Sequence, residues 1–269
     1  MSMTEIGFAL MVFTLLLAAT MVGMIVRPLL PEEHKAHETV QLMQLVIGML
    51  LTFAALVLSL MTASAKSNFD TLTNDFRNYA ADLIQLDVTL RDYGPETDSA
   101  RLNLRLYTAA AIASTWPADA KPADTAVQKT ARPENIQDRL EDYRLGEMLN
   151  STQRQVRELP AQDPLQKRVM EVALSQFDRL IQARWKLIEV SHSSMSQPFF
   201  AMLTFWLMII FLSFGLIAPR NALAIVTITL GALSIASAIY VIVDLDSPFT
   251  GPIMISSQPM QEALQHLSR

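Results

Sequence analysis

Apolar residues in this chain are gathered into four uncharged blocks, residues 6–26, 42–65, 199–218 and 221–243. Each is long enough to cross the roughly 30 Å hydrocarbon core of a bilayer as a helix, which takes about 20 residues. If all four were core helices of a water-soluble protein, every face of every block would need a protein cover. The pattern therefore predicts an all-α integral membrane protein with four transmembrane helices arranged two plus two. Residues 1–65 form a first transmembrane hairpin, 198–243 a second, and 66–197 an extramembrane four-helix bundle inserted between them. Residues 244–269 supply a turn and a short amphipathic helix.

One stretch, from Gln41 to Tyr93, carries a helical line through two environments. In its apolar half, small or polar residues recur at steps of three and four: Gly48, Thr52, Ala55, Ser59, Thr62 and Lys66. Large apolar residues such as Met49, Phe53, Leu56 and Leu60 lie between them. In the charged half the spacing continues with polarity reversed, through Phe69, Leu72, Phe76, Tyr79, Leu83, Leu86, Leu90 and Tyr93. A line that is small and polar where lipid would surround it, and apolar where water would, predicts one face of a long helix hidden throughout by protein or an enclosed cavity. The small and hydroxyl residues admit two readings: they line a pore with Lys66 at its mouth, or they only let neighbouring helices approach. Four spans are few to enclose a pore, so a pore lies on a symmetry axis between copies.

The rest of the chain is punctuated by proline and glycine. His34 and His37, three apart at the start of the second helix, are either a candidate metal or pH-sensing pair or a solvated first turn. Tyr93-Gly94-Pro95-Glu96 closes the long helix and opens the next. Leu102, Leu106, Ala109, Ala113 and Trp116 predict that helix's inward seam. Residues 117–133, with two Pro-Ala-Asp units and no apolar periodicity, predict a mobile loop. A third bundle helix over 134–158 turns Ile136, Leu140, Tyr143, Leu149 and Val156 inward; a fourth over 165–192 does so with Val169, Val172, Phe177, Leu180 and Leu187. The fourth apolar block has its own line of small residues, Thr227, Gly231, Ser234 and Ala238.

Charge narrows the function. From Lys66 to Gln197 there are 17 Lys and Arg against 19 Asp and Glu, interspersed, so there is no basic footprint for nucleic acid. The absence of cysteine excludes disulfides and thiolate metal sites. No glycine-rich phosphate loop, nucleophile elbow or metalloprotease histidine pair is present, which argues against an enzyme and leaves a divalent cation as the one conceivable cofactor.

The least expected stretch is Asp244-Leu245-Asp246-Ser247-Pro248-Phe249-Thr250-Gly251. Two carboxylates at a helix C-terminus meet the negative end of the dipole, so a counter-ion is expected, from Lys66, Arg184, Lys186 or His192. Asp244 and Asp246 are either a structural tie between the last span and the bundle or a cation site at a pore mouth.

This motif, Leu60-Met61-Thr62-Ala63-Ser64-Ala65-Lys66 and Leu86-Asp87-x-x-Leu90-x-x-Tyr93-Gly94-Pro95-Glu96, together with the order of the spans, resemble the bacterial bestrophin-like membrane family, formerly a domain of unknown function. The resemblance implies the topology of the bestrophins, which are oligomeric anion channels with a pore lined by the second span and a cytosolic helical bulk. On it rest the expectations of a homo-oligomer in the lipid bilayer of a bacterial inner membrane, a small permeant ion and a cytoplasmic bundle. The alternative is a non-conducting scaffold or sensor whose bundle binds a protein partner.

Overall fold

A computed structural model describes residues 5–29, 31, 37–117, 143–192, 197–219, 221–249 and 251–269. Among them every regular element is helical: α1 (Glu5–Val26), α2 (His37–Tyr93), α3 (Asp98–Thr115), α4 (Tyr143–Arg157), α5 (Pro164–His192), α6 (Gln197–Ile217), α7 (Ala222–Asp246) and α8 (Gln258–His266). Short 3-10 turns occupy Arg27–Leu29 and Pro95–Thr97. Four helices, α1, α2, α6 and α7, are long and apolar enough to cross a membrane. The chain divides into two units, residues 1–67 with 194–253 and residues 68–193 with 254–269. Helix α2 is a single element of 57 residues that contributes to both. Residues 118–142 lie outside the described residues, and with them most of the expected loop, Ile136 and Leu140.

In the first unit α1 packs on α6 and α7. Its buried residues, Val12, Leu16, Ala19, Thr20 and Gly23, are spaced by four, three, one and three, which is one helical face. Thr20 satisfies its hydroxyl by donating to the Leu16 carbonyl at 3.0 Å. At Gly23 the backbones of α1 and α6 nearly touch: a Cβ there would meet the Leu212 carbonyl oxygen at 2.2 Å, and one at Gly215 would meet the Thr20 carbonyl oxygen at 2.1 Å. Two glycines facing each other are what allow this crossing. Beyond it, the Arg27 guanidinium donates to the Ala218 carbonyl and joins the ends of α1 and α6. Asn221 caps α7, its side chain accepting from the Ala224 N–H at 2.8 Å.

The second unit is built on the later part of α2, whose Leu72, Phe76, Leu83, Leu86 and Leu90 are buried. The corner between α2 and α3 explains one of the family-like motifs. Buried Asp87 accepts from Arg91 at 2.9 Å and from Arg101 on α3 at 2.8 Å. Thr97 donates to the carbonyls of Leu90 and Gly94, and Gly94 takes a φ of 129°, which only glycine adopts readily. Helix α3 packs on α4, α4 on α5, and α8 returns to α3. Trp116 fixes the C-terminal segment: its indole N–H donates to the Ile255 carbonyl at 2.8 Å, and its ring meets Phe76 edge-on at 5.1 Å.

Part of the predicted bundle core is corrected. Leu102 and Leu106 are exposed, whereas Ala100, Leu104, Tyr107, Thr108 and Ile112 form the inward face of α3. That face includes hydroxyls that periodicity of apolar residues discounts; Thr108 donates to the Leu104 carbonyl at 2.8 Å, and Tyr107 pairs with Tyr79. Tyr143 and Val172 are exposed as well, because the inward lines run through Leu145, Leu149 and Val156 on α4 and through Ala173, Phe177, Leu180 and Leu187 on α5.

Candidate functional site

The α2 line divides at the boundary between the two units. Gly48, Thr52, Ala55, Ser59, Thr62 and Lys66 are all exposed on the single chain, as are the large residues Met49, Phe53, Leu56 and Leu60 beside them. Phe69 is half-buried, and Phe76, Leu83 and Leu90 are covered by the bundle. Within the single chain, only the apolar continuation of the expected hidden face is covered. Geometry accounts for the divergence. Residues spaced by seven, Gly48, Ala55, Thr62, Phe69, Phe76, Leu83 and Leu90, drift by about 20° per heptad around a straight helix, so six heptads turn the line through about 120°. On α2 the buried residues of the apolar half are instead Ile47, Ala54, Met61 and Ala65.

The hydroxyls on this line are not equivalent. Thr52 donates to the Gly48 carbonyl at 2.9 Å and Thr62 to the Leu58 carbonyl at 2.8 Å. Their protons are thereby committed to the helix, and what they present outward is lone pairs. Gly48 also borders a groove shared with α6 and α7.

At the end of α7, Asp244 is fully buried. Its Oδ2 accepts from the Ile253 N–H at 3.1 Å, so the carboxylate holds the turn that follows its own helix. Its Oδ1 lies against Gly251, where a Cβ would come within 1.9 Å, and Gly251 has a φ of 80°. The motif thus pairs a buried acceptor with the one residue type that leaves room for it. Asp246 is half-buried at the last turn of α7. Of the expected counter-ions, Lys186 pairs with Asp75 at 2.8 Å, and Arg184 is buried in the bundle beside Tyr107. His34 lies outside the described residues, and His37 opens α2. Among the described residues no three His, Cys, Asp or Glu side chains gather as a metal site.

Sequence reasoning missed three sets of residues. The Gly23–Gly215 crossing was visible only as two glycines in two apolar blocks. Asp87 stands within a family-like motif whose spacing assigns it no role; its hydrogen bond with Arg101 holds that guanidinium's pKa above its ordinary value. In the buried pair Tyr79–Tyr107 with Arg184, Tyr79 is expected only as part of the apolar seam and Arg184 only as a counter-ion for the two aspartates, while Tyr107 has no assigned role. Burial pushes the Tyr107 phenol above its ordinary pKa.

Four membrane-crossing helices, one continued as the spine of a helical bundle, and a buried aspartate turn after the last span define an integral membrane protein of the all-α class. Residues 14–260 match the model of the bestrophin-like domain, and the chain belongs to the bestrophin-like family. The fold is similar to that of a bacterial bestrophin homologue from Klebsiella pneumoniae. One variant of it, with an isoleucine-to-threonine substitution, aligns with a TM-score of 0.63 at 15% identity over 97% of this chain and 99% of that one. A tryptophan-to-alanine variant aligns with a TM-score of 0.65 at 14% identity over 99% and 98%. No curated protein matches in sequence.

Proposed function

We propose that the chain is one subunit of an oligomeric bestrophin-like channel passing small ions, chiefly anions, through an axial pore lined by α2, and that it is not an enzyme. The observation that carries this is the line of small and hydroxyl residues left bare on an apolar span. Lipid offers the Ser59 hydroxyl no polar partner, whereas a symmetry axis filled with water does, and Lys66 continues the same exposed line. Family membership supports the same reading. With the Thr52 and Thr62 protons committed to backbone carbonyls, Ser59 supplies the hydroxyl donor in the span and Lys66 the cationic mouth. Of Asp244 and Asp246, Asp244 shapes the turn after α7, and its hydrogen bond from the Ile253 N–H supports a structural role over a cation site. The spans lie in a bacterial inner membrane with the bundle in the cytoplasm, as the family resemblance suggests.

Currents from the purified oligomer in planar bilayers test the proposal. Wild-type protein should conduct, Lys66→Glu should shift the reversal potential towards cations, and Ser59→Ala should lower anion conductance. A silent oligomer with a sealed axis, across a range of pH, calcium and tension, would leave the scaffold reading instead.

A further inference from the structure

The apolar groove bordered by Gly48 lies wholly within the first unit and has a volume of about 710 Å³. That is within the range of pockets that bury a small ligand, roughly 300–1,000 Å³. Its walls are Ile47 and Leu51 from α2, Phe211 and Phe214 from α6, and Leu223 and Ile228 from α7. Polar side chains among its lining are few, and two are already engaged: Thr227 donates to the Leu223 carbonyl at 2.9 Å and Asn221 accepts from the Ala224 N–H at 2.8 Å. The interior therefore suits a hydrocarbon occupant.

The groove has a polar end and an apolar depth. Gln44, Pro219 and Asn221 lie at the end where α2 and α7 begin and α6 stops, and Gly231 lies at the other. From Asn221 to Gly231 is ten residues of α7, or about 15 Å at 1.5 Å per residue. That equals about half of the roughly 30 Å hydrocarbon core, the depth of one leaflet. Arg27 stands at the same end, bonded to the carbonyl of the lining residue Ala218, and brings a cation to the headgroup level. From this depth, polarity and charge we infer that the groove is a binding site for an acyl chain of a membrane phospholipid, with the lipid phosphate beside Arg27. The site goes beyond the channel reading and does not depend on it.

The test counts phospholipid retained per chain in the oligomer purified in mild detergent, by extraction and mass spectrometry. A Cβ at Gly231 meets nothing within 4 Å and Gly231 lines the groove, so Gly231→Leu adds its side chain to the occupant's space. Wild type should retain phospholipid, and Gly231→Leu should retain several-fold less at unchanged oligomeric state. Independently of any variant, a phospholipid with a photoactivatable group midway along its tail should label wild-type residues 211–231 in preference to the exposed faces of α1. Wild-type protein without retained lipid, equal retention in Gly231→Leu, or labelling spread evenly over the spans would overturn the inference. Dissociation of the Gly231→Leu oligomer would also overturn it, because the occupant would then be a second copy.

Discussion

Substituting alanine for Gly215 adds one methyl group where α1 and α6 cross, and the structure sets the cost. The new Cβ would stand 2.1 Å from the Thr20 carbonyl oxygen, against the 3.4 Å at which ordinary contact begins, so the backbones must part by about 1.3 Å. Neither neighbour is a flexible side chain, and a gap of 0.5–1 Å already forfeits about a quarter to a half of a dispersion contact. Val12, Leu16 and Ala19 on the same face of α1 lose packing together. Gly215→Ala is therefore expected to cost about 2–3 kcal/mol, in the upper part of the usual overpacking range. Gly231→Ala, where a Cβ meets nothing within 4 Å, serves as an internal control and should stay within about 0.5 kcal/mol of wild type. Because one separation of the helices accommodates both methyl groups, Gly23→Ala combined with Gly215→Ala should cost less than the two singles added, by about 0.5 kcal/mol or more. Steric-trap unfolding in bicelles measures all four variants. Equal stabilities for Gly215→Ala and Gly231→Ala would refute the reasoning, and strictly additive singles would refute the shared crossing.

Other consequences follow from the remaining contacts. Asp87→Ala leaves the Arg101 guanidinium with only its longer contact to the exposed Asp98 at 3.5 Å, and should destabilise the second unit by about 1–3 kcal/mol; chemical denaturation followed by tryptophan fluorescence reads this directly. Asp244→Ala strips the Ile253 N–H of its acceptor and should cost about 1–3 kcal/mol, while Gly251→Ala should be at least as harmful because it combines a clash with a left-handed φ. If Asp244→Asn together with Asp246→Asn leaves folding and oligomerisation unchanged, the tie is wrong. The Tyr107 pKa is raised in the folded state, so the native chain holds its phenolic proton longer than the unfolded chain does. Stability from this group is intact below the ordinary tyrosine pKa of about 10 and is lost as pH rises from there towards the folded value. Tyr107→Phe should flatten that alkaline loss in thermal melts; an identical pH profile would remove the assignment.

Apolar block length alone determined the four spans, because a bilayer imposes a minimum helix length that no local packing detail can change. Turn chemistry likewise marked the α2–α3 corner, since Gly94 and Pro95 act on the backbone before any distant residue does. Periodicity also placed Phe76, Leu83 and Leu90 inside. It went astray on α3, where Leu102 and Leu106 face outward and Tyr107 and Thr108 face in, because a hydroxyl can be buried once a partner or its own helix satisfies it. Only tertiary structure could join Gly23 to Gly215, or turn Asp244 back onto Ile253 and Gly251, since neither pairing has a spacing rule. The long α2 line lies between these cases. Its composition was legible in one dimension, but a seven-residue spacing rotates on a 3.6-residue helix, and packing decided which part of it the chain itself would cover.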